Sequence, residues 1–438
     1  MPPGTRAGRP KPRDLMGERR KRRAGSPIQG PGSAVYGRRI PEHLPGSGGL
    51  FAGMAVVMGI LLVMIFAGKG VLAAQFDVGA KAAILMDAST GQVLFSKNAR
   101  EKRPPASITK IMTVLVAMDA VKSGDASLTD KVSVSPAASR LGGSQAFLDP
   151  REQFTLEQML KAITIGSAND AALAVAQHVA GTEAAFVESM NLKAQELGMT
   201  DTTFGNPHGL PPEDGAQGDI TSARDVAVMT RALVSDHPEV LKWTSTRQDT
   251  LREEPRQFTL MNRNRLLSLY SGADGVKTGY TEEAGYCLSA TAKRDKTRLI
   301  SVVLGADSDQ ARVEQSIGLL DLGFRGFKPV VLAAATETVD TVKVRTGIPE
   351  NVPVVAKKEL RILVPRGRPG VKAERRVELQ RNLQAPLREG QVLGKLVGAL
   401  DGRKVSESPL VAGVPVRRAG VFRLAFRWVR DLVLSVFR

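Results

Sequence analysis

The chain has 438 residues, too many for one typical domain, and its 42% hydrophobic and 24% charged content is ordinary for a folded protein. The net charge of +17 lies at the ends: residues 1–49 carry +8, residues 355–438 carry +12, and the residues between them carry −3. This distribution argues against a nucleic-acid-binding central domain and assigns attraction to anionic surfaces to the two termini.

Few residues are available for disulfide or metal chemistry. The single cysteine, Cys287, excludes an intrachain disulfide and is predicted to be a small buried strand residue. The four histidines show no metal-ligand spacing. We therefore expect neither a metal nor a cofactor.

The N-terminal segment has the pattern of an export signal. Residues 1–49 are rich in Arg, Gly and Pro without apolar periodicity, and are predicted to be a disordered basic leader in the cytoplasm. An apolar run at 50–67 lies within the segment 50–75, which is either a signal peptide cleaved near Ala73 or an uncleaved membrane anchor. Both alternatives place the rest of the chain outside the cytoplasmic membrane, in the periplasm.

Residues 76–328 mix helical and strand patterns and are predicted to form one α+β domain. A β-hairpin is expected at 83–87 and 93–95, and a helix at 106–120. Further helices are expected at 156–164, 170–180, 183–197, 222–235 and 310–322, and strands at 286–292 and 299–304. The pattern is typical of helices that flank an antiparallel sheet.

The C-terminal part has a different texture. Short β-branched runs separated by Gly and Pro predict a small all-β domain at 329–416, with runs at 339–344, 352–355, 360–364, 377–379 and 392–397. Residues 417–438 are predicted to form an amphipathic helix with Arg423, Arg427 and Arg430 on one face and aromatic residues opposite. We expect it to lie on the membrane surface; the alternative is a terminal helix docked on the protein.

Three short motifs carry the candidate chemistry, and their order and spacing matter more than any one of them. They are Ser107-Ile108-Thr109-Lys110, Ser167-Ala168-Asn169 and Lys277-Thr278-Gly279. Alone, each has a simpler explanation: an N-capping serine, a helix cap and a solvated hairpin end. Together they match the S-x-x-K, S-x-N and K-T-G set of penicillin-recognising serine enzymes.

The residue types fit nucleophilic catalysis. Ser107 and Lys110 lie three residues apart at a helix start, so both side chains face the same way. A serine needs a base, and a lysine can act as one if burial and a second cation such as Lys277 depress its pKa. A hydroxyl at Ser167 can relay a proton to a leaving amine, the amide of Asn169 can hold a substrate backbone, and Gly279 permits a close approach to a strand edge.

With these motifs and their flanks, the sequence resembles the low-molecular-weight penicillin-binding proteins, the serine D-alanyl-D-alanine carboxypeptidase family, over about residues 76–438. The flanks that carry the likeness are Pro104-Pro105-Ala106 before Ser107, Asn206-Pro207-His208-Gly209-Leu210, Asp274-Gly275-Val276 before Lys277, Ala284-Gly285-Tyr286, and Val303-Leu304-Gly305-Ala306. The resemblance implies a β-lactamase/transpeptidase-like catalytic domain, followed by the all-β domain and the amphipathic tail. It also implies removal of the terminal D-alanine from peptidoglycan stem peptides, and inhibition by β-lactams.

The resemblance also implies roles for the motif residues. Ser107 would be acylated by the penultimate D-alanine, Lys110 would be the base, and Ser167 and Asn169 would line the cleft. Lys277 and Thr278 would meet the substrate carboxylate, and the backbone N–H groups of Ser107 and Tyr280 would form the oxyanion hole. Arg263 and Arg312 match family arginines near the carboxylate end.

Two departures from the family pattern stand out. Tyr280 follows K-T-G where some members have histidine, and only its backbone N–H is required there. Relatives often carry His-Tyr-Ser/Thr before Ala-Arg-Asp, whereas this chain has Gly218-Asp219-Ile220-Thr221-Ser222. The sequence alone offers no physical account of that second change.

Three other functions remain open from the sequence. A β-lactamase needs a carboxylate that activates water, and Glu188-Ser189-Met190-Asn191 matches E-x-x-N, although a solvated helical glutamate is simpler. An endopeptidase or transpeptidase would differ mainly in the bond cut or the acceptor. A non-catalytic envelope or nucleic-acid-binding protein would account for the positive charge alone.

Overall fold

The computed structural model describes residues 77–212, 218–253 and 255–436. Ala74–Arg438 forms one compact unit. The predicted leader at 1–49 and the predicted apolar segment at 50–75 lie outside the described residues.

The first domain alternates strands and helices. Its strands are β1 (Ala82–Asp87), β2 (Val93–Lys97), β3 (Lys131–Ser133), β4 (Gln153–Thr155), β5 (Gln248–Arg252), β6 (Phe258–Met261), β7 (Ala273–Thr281), β8 (Gly285–Arg294) and β9 (Thr297–Ala306). A 3-10 helix at Ala106–Thr109 precedes the α-helices, which are α1 (Lys110–Ser123), α2 (Pro136–Arg140), α3 (Leu156–Thr164), α4 (Asn169–Ala180), α5 (Glu183–Glu196), α6 (Ala223–Asp236), α7 (Val240–Thr244), α8 (Leu266–Leu269) and α9 (Asp309–Gly326).

A five-stranded antiparallel sheet in the order β2-β1-β9-β8-β7 forms the centre of this domain. Both faces of the sheet are covered by other elements. Alternate residues of a strand point to opposite sides, so one strand contributes to two cores. Ile84 and Met86 of β1 face the core that contains α1 and α6, whereas Leu85 and Ala83 face the core beneath α9. β7 is an edge strand, paired on one side with β8.

The helix α1 is buried along its N-terminal part and forms the centre of the helical layer. Every residue from Lys110 to Met118 is buried, including the lysine itself. A helix that is apolar all round belongs in a core, and α1 packs against α3, α4, α5 and α6. The N-terminus of α1 is therefore held rigidly at one side of the sheet.

The second domain contains only strands. They are β10 (Phe327–Ala333), β11 (Thr338–Lys343), β12 (Gly347–Ile348), β13 (Asn351–Ala356), β14 (Leu360–Pro365), β15 (Ala373–Leu379), β16 (Val392–Leu400), β17 (Arg403–Ala412) and β18 (Arg417–Arg418). A five-stranded sheet has the order β11-β13-β17-β16-β15, while β10 pairs with β14 and β12 with β18. These strands enclose a separate core that includes Val352, Leu396 and Leu410.

A buried polar contact joins the two domains at the β2 edge of the first sheet. The Gln92 amide donates to the Leu363 carbonyl at 2.7 Å and accepts from the Leu363 N–H at 2.8 Å, as a neighbouring strand would. Arg361 lies 3.6 Å from the Asp87 carboxylate, and both side chains are buried. The junction is thus a specific packed interface.

The chain ends in α10 (Val421–Val436). Its Arg427 side chain donates to the backbone carbonyls of Arg345 and Gly347, so one side of the helix contacts the second domain. Val421, Phe422, Phe426, Trp428 and Val429 remain exposed. Across the described residues, no helix has the length and hydropathy needed to cross a bilayer.

The structure confirms the predicted α+β fold with its antiparallel sheet and the following all-β domain, and it places Cys287 in the buried strand β8. Several elements differ from the sequence predictions. The expected helix at 106–120 begins as a 3-10 turn and extends to Ser123. Lys277-Thr278-Gly279 lies inside β7 rather than before a strand. β17, the paired short strands β3 and β4, and the hairpin β5–β6 were not predicted, because charged residues or a length of three to five residues hide their alternation.

Candidate active site

The three motifs meet where the N-terminus of α1 approaches the edge strand β7. Pro104 and Pro105 lead into the 3-10 turn that carries Ser107, whose side chain is half-buried. A Cβ added at Gly279 of β7 would lie 2.9 Å from the Pro105 carbonyl oxygen and 3.2 Å from the Ile108 nitrogen. Gly279 therefore permits the strand to pass against the Ser107 turn, as its motif predicts.

Lys110 contacts the predicted nucleophile directly. Its Nζ lies 2.9 Å from Ser107 Oγ, 2.6 Å from Asn169 Oδ1 and 2.6 Å from the His208 carbonyl oxygen. The last two atoms can only accept hydrogen bonds, whereas the serine hydroxyl can also donate one. When Lys110 is neutral, its lone pair can therefore be satisfied by Ser107 alone among these three partners.

Burial makes that neutral form accessible. Lys110 is 0% exposed, and desolvation lowers its pKa from 10.5 to about 7, against the opposing effect of the negative charges of Asp219 and Asp170. Burial, which was expected to lower the pKa of Lys110, is the main cause of the shift, whereas the charge of Lys277, the other expected cause, is not among its causes. The influence runs the other way: after burial, the charge of Lys110 is the largest cause that lowers the pKa of Lys277.

The second motif lies on the connection between α3 and α4. Ser167 is buried and has a φ of +61°, and Asn169 begins α4. While the Asn169 Oδ1 accepts from Lys110, its Nδ2 donates to the Gly142 carbonyl at 2.7 Å. Asn169 thus fixes both the lysine and the loop that passes Gly142.

The third motif provides cationic and backbone groups on β7. Lys277 is buried, its Nζ donates to the Thr278 carbonyl at 2.9 Å, and burial followed by the charges of Lys110, Arg312 and Arg263 lowers its pKa well below the usual value. Thr278 is also buried. The structure therefore brings Lys277 close enough to Lys110 for their charges to interact.

Two predicted residues occupy less direct positions. Arg312, on α9, donates to the backbone carbonyls of Gly279 and Cys287 at 3.0 and 3.1 Å and pairs with Asp309, so it braces β7 and β8. Arg263 is exposed, and its positive charge acts on Lys277. The resemblance places Arg312 near the carboxylate end of the substrate; its observed contacts are with β7 and β8, and its part in substrate binding stays a prediction.

The side chain of Tyr280 is 52% exposed, and its ring centroid lies 4.4 Å from that of Tyr286. Its backbone belongs to β7, directly after Gly279 at the Ser107 turn. A cavity of about 290 Å³ opens beside this turn and is lined by residues that include Ala106, Gly209, Leu210, Asp219 and Thr281.

Sequence reasoning missed a set of supporting residues. The carbonyl of His208 contacts Lys110, and burial followed by the Lys110 charge lowers the pKa of the His208 ring to about 3, so the imidazole is neutral. Asp170 accepts from the N–H groups of Ala146 and Leu148, and Asp219 accepts from Thr109. The Asn206-Pro207-His208-Gly209-Leu210 flank was the available signal for the first residue; neither carboxylate had a local motif.

The residues that would support the alternative functions do not contribute to this site. Glu188 is exposed on α5 and is not among the hydrogen-bond partners of Lys110, as expected for a solvated helical glutamate. Within the part of the chain that the structure describes, no group of three or more His, Cys, Asp or Glu side chains could hold a metal ion.

A serine hydrogen-bonded to a buried lysine, at the free edge of an antiparallel sheet and under a helical layer, defines a lysine-activated serine hydrolase. A family profile described as D-alanyl-D-alanine carboxypeptidase matches residues 69–308, and one described as the C-terminal domain of penicillin-binding protein 5 matches residues 327–418. The chain belongs to the D-alanyl-D-alanine carboxypeptidase family.

Individual relatives cover most of the chain. The D-alanyl-D-alanine carboxypeptidase DacF of Bacillus subtilis strain 168 is 41% identical over 353 residues, which are 80% of this chain and 90% of the relative. DacC of Escherichia coli strain K12 is 38% identical, covering 85% of this chain and 93% of the relative. The crystal structure of penicillin-binding protein 5 from Haemophilus influenzae superposes with a TM-score of 0.68 at 34% identity, covering 79% of this chain and all of that one.

Proposed function

We propose that this protein removes the terminal D-alanine from peptidoglycan stem peptides on the outer face of the cytoplasmic membrane. The observation that carries the activity is the 2.9 Å contact between Ser107 Oγ and the Nζ of a lysine whose pKa is about 7. Family membership and the carboxypeptidase names of the relatives support the same reaction.

The reaction begins with acylation. Ser107 Oγ attacks the carbonyl carbon of the penultimate D-alanine while its proton passes to the neutral Nζ of Lys110. The backbone N–H groups of Ser107 and Tyr280 stabilise the negative charge that forms on the carbonyl oxygen. The C–N bond then breaks, and the amine of the departing D-alanine takes the proton that Lys110 accepted, relayed through the Ser167 hydroxyl, so that Lys110 becomes neutral again.

Hydrolysis completes the cycle. A water molecule attacks the ester carbonyl and gives a proton to the neutral Nζ of Lys110. The Ser107 oxygen then leaves and takes that proton from Lys110, and the shortened stem peptide departs with a new carboxylate. A β-lactam would enter by the same attack, but its amide nitrogen stays tethered after ring opening, so no leaving group clears the site. Lys277, Thr278 and the positive charge of Arg263 suit the carboxylate that both ligands carry.

The test is mass spectrometry of the detergent-solubilised full chain after brief exposure to penicillin, with Ser107→Ala as control. We expect one covalent adduct on the Ser107 peptide, none in the variant, and release of free D-alanine from a pentapeptide ending in D-alanyl-D-alanine. A folded chain that gains no adduct would reject the proposal. Cleavage of cross-linked peptides without release of terminal D-alanine would favour an endopeptidase instead.

The membrane location rests on both ends of the chain. The basic leader and the apolar run at 50–67 suit export. At the other end, Phe422, Phe426 and Trp428 are 94, 72 and 69% exposed on α10, which would be costly in water but suits the bilayer interface. Because Arg427 contacts the second domain, apolar burial rather than this arginine would supply most of the attachment.

Vesicle binding tests the attachment. The chain without residues 1–73 keeps the compact unit Ala74–Arg438 and removes the apolar run at 50–67. We expect Phe422→Ser/Phe426→Ser to weaken binding to vesicles containing phosphatidylglycerol by at least about tenfold. The matched control, Leu192→Ser/Leu269→Ser, alters two other exposed apolar side chains and should bind as the parent does. Equal binding by all three proteins would reject the role of α10.

A further inference from the structure

Asp219 occupies the segment where the sequence departs from the family pattern. Its carboxylate is buried and accepts hydrogen bonds from three groups: Thr109 Oγ1 at 2.5 Å, the Gly205 N–H at 2.7 Å and the Asn206 N–H at 3.2 Å. A buried carboxylate is costly unless such donors satisfy it. The Asp219 side chain is therefore a buried, fully hydrogen-bonded carboxylate rather than a surface charge.

These contacts connect the two segments that position the base. Thr109 lies between Ser107 and Lys110 in the catalytic turn. Gly205 and Asn206 begin the loop whose His208 carbonyl accepts from Lys110. The same loop passes so close behind the turn that a Cβ at Gly209 would lie 2.0 Å from the Ala106 carbonyl oxygen. Asp219 thus joins the nucleophile turn to the loop that holds the lysine.

Asp219 also contributes charge beside Lys110. Four titratable groups interact electrostatically with Lys110. The charges of Asp219 and Asp170 favour its ammonium form. The charge of Lys110 in turn lowers the pKa values of Lys277 and of the buried His208 ring. Of the two carboxylates, Asp219 is the larger influence on the pKa of Lys110. Asp170 acts from the α4 side, where it accepts from Ala146 and Leu148.

We propose that Asp219 is a positioning residue for acylation, which holds the Ser107 turn and the His208 carbonyl around Lys110. Its negative charge also favours the ammonium form of that lysine. The inference rests on the proposed function, since it presupposes acylation of Ser107. It gives the departure from the family pattern a physical role, because this chain places a buried carboxylate beside its catalytic turn. Burial raises the pKa of the Asp219 carboxyl, and its three hydrogen-bond donors and the charge of Lys110 oppose that rise.

The experiment measures the second-order rate constant for penicillin acylation of the full chain from pH 5.5 to 9. The wild-type rate should rise through a pKa near 7 as Lys110 loses its proton. Asp219→Asn keeps the shape of the side chain but removes its charge, so the rise should move to lower pH by about one unit. Thr109→Val keeps the charge of Asp219 but removes the hydrogen bond from Thr109. The pH at which the acylation rate rises should then stay the same, while the rate at high pH falls by about tenfold.

Asp201→Asn is the matched control, because it removes a carboxylate that pairs with Arg100 outside the site and should change neither quantity. An unmoved pH profile in folded Asp219→Asn would overturn the charge role, and an undiminished rate in Thr109→Val would overturn the positioning role. If Asp219→Asn fails to fold, Asp219→Glu replaces it, and a profile displaced to lower pH despite the retained charge would contradict the proposal. A wild-type chain that is never acylated would instead overturn the proposed function itself.

Discussion

At the residue scale, the buried Lys110 lowers the free energy of unfolding of this protein at neutral pH. Lys110 would hold its proton up to about pH 10.5 in an unfolded chain, but burial lowers its folded pKa to about 7. Between these two values the unfolded state binds more protons than the folded state. Lys110 therefore destabilises the fold most at and below pH 7, and this penalty disappears as the pH rises through 10.5.

Lys110→Met isolates this effect, because it fills the site with an uncharged side chain of similar length. We expect the unfolding free energy of wild type, relative to that of the variant, to rise between pH 7 and 9 by up to about 1.4 kcal/mol per pH unit. Urea titrations at pH 7, 8 and 9 measure the difference. A difference that stays constant, or one that falls, would contradict the lowered pKa. Penicillin acylation should be lost in the variant throughout.

The residues that the sequence predicted are those with local motifs. Ser107 and Lys110 are close in sequence, and the spacing of a helical turn brings them together. Asp219 was not predicted as a site residue because it reaches Thr109 across 110 residues of chain. The His208 contact was missed because it uses a backbone carbonyl, which every residue carries and no residue type signals.

At the scale of elements, the site depends on close approaches of backbone segments. Gly209 has a φ of +81° and packs its α-carbon against the Ala106 carbonyl, where a side chain has no room. Gly181, at the end of α4, shares the positive φ at +77° but has open space around it. Comparing substitutions at these two glycines therefore distinguishes the cost of a positive φ from the cost of a steric clash.

Gly209→Ala is expected to lower the unfolding free energy by at least about 3 kcal/mol and to abolish penicillin acylation, because the loop must move away from Lys110. Gly181→Ala should lower the unfolding free energy by only about 1–2 kcal/mol, because a side chain is placed at a positive φ, and it should leave acylation unchanged. Urea unfolding and adduct formation measure both effects. Equal losses in the two variants would show that the close approach at Gly209 is not required.

Element prediction succeeded where apolar residues repeat at a regular spacing, and failed where charged residues, small residues or a short length hide that spacing. The helices α3, α4 and α5 were expected within two residues of their observed bounds, since their apolar residues repeat at helical spacing. The strand β7 was not predicted, because residues such as Asp274 and Gly275 lack strand character and tertiary pairing with β8 imposes the extended form there.

At the scale of the whole molecule, the two domains meet away from the catalytic edge. The junction at Gln92 borders β2, at the opposite side of the sheet from β7. A sequence cannot show this arrangement, because Gln92 and Leu363 are separated by 271 positions and neither belongs to a recognisable motif. The secondary-structure class of each domain could be predicted from the residue pattern, but the contact between the two domains could not.

Gln92→Ala should leave the buried N–H and carbonyl of Leu363 unpaired and cost about 2–4 kcal/mol of stability. Acylation of Ser107 should continue at the wild-type rate, because the catalytic strand lies at the far edge. Calorimetry and adduct formation test the two expectations, with exposed Gln257→Ala as the control. A strong fall in acylation without loss of stability would indicate that the second domain acts on the catalytic site.

The active site is composed of segments spread from Ser107 to Lys277, and only the complete fold brings them together. A chain that has lost this arrangement has neither a neutral lysine beside the serine nor a strand edge against it. If Ser107 is acylated as proposed, a short pulse of fluorescent penicillin should label folded molecules covalently and leave unfolded molecules unlabelled. Band intensity on a denaturing gel would then report the folded fraction of this protein directly in a cell extract, without purification.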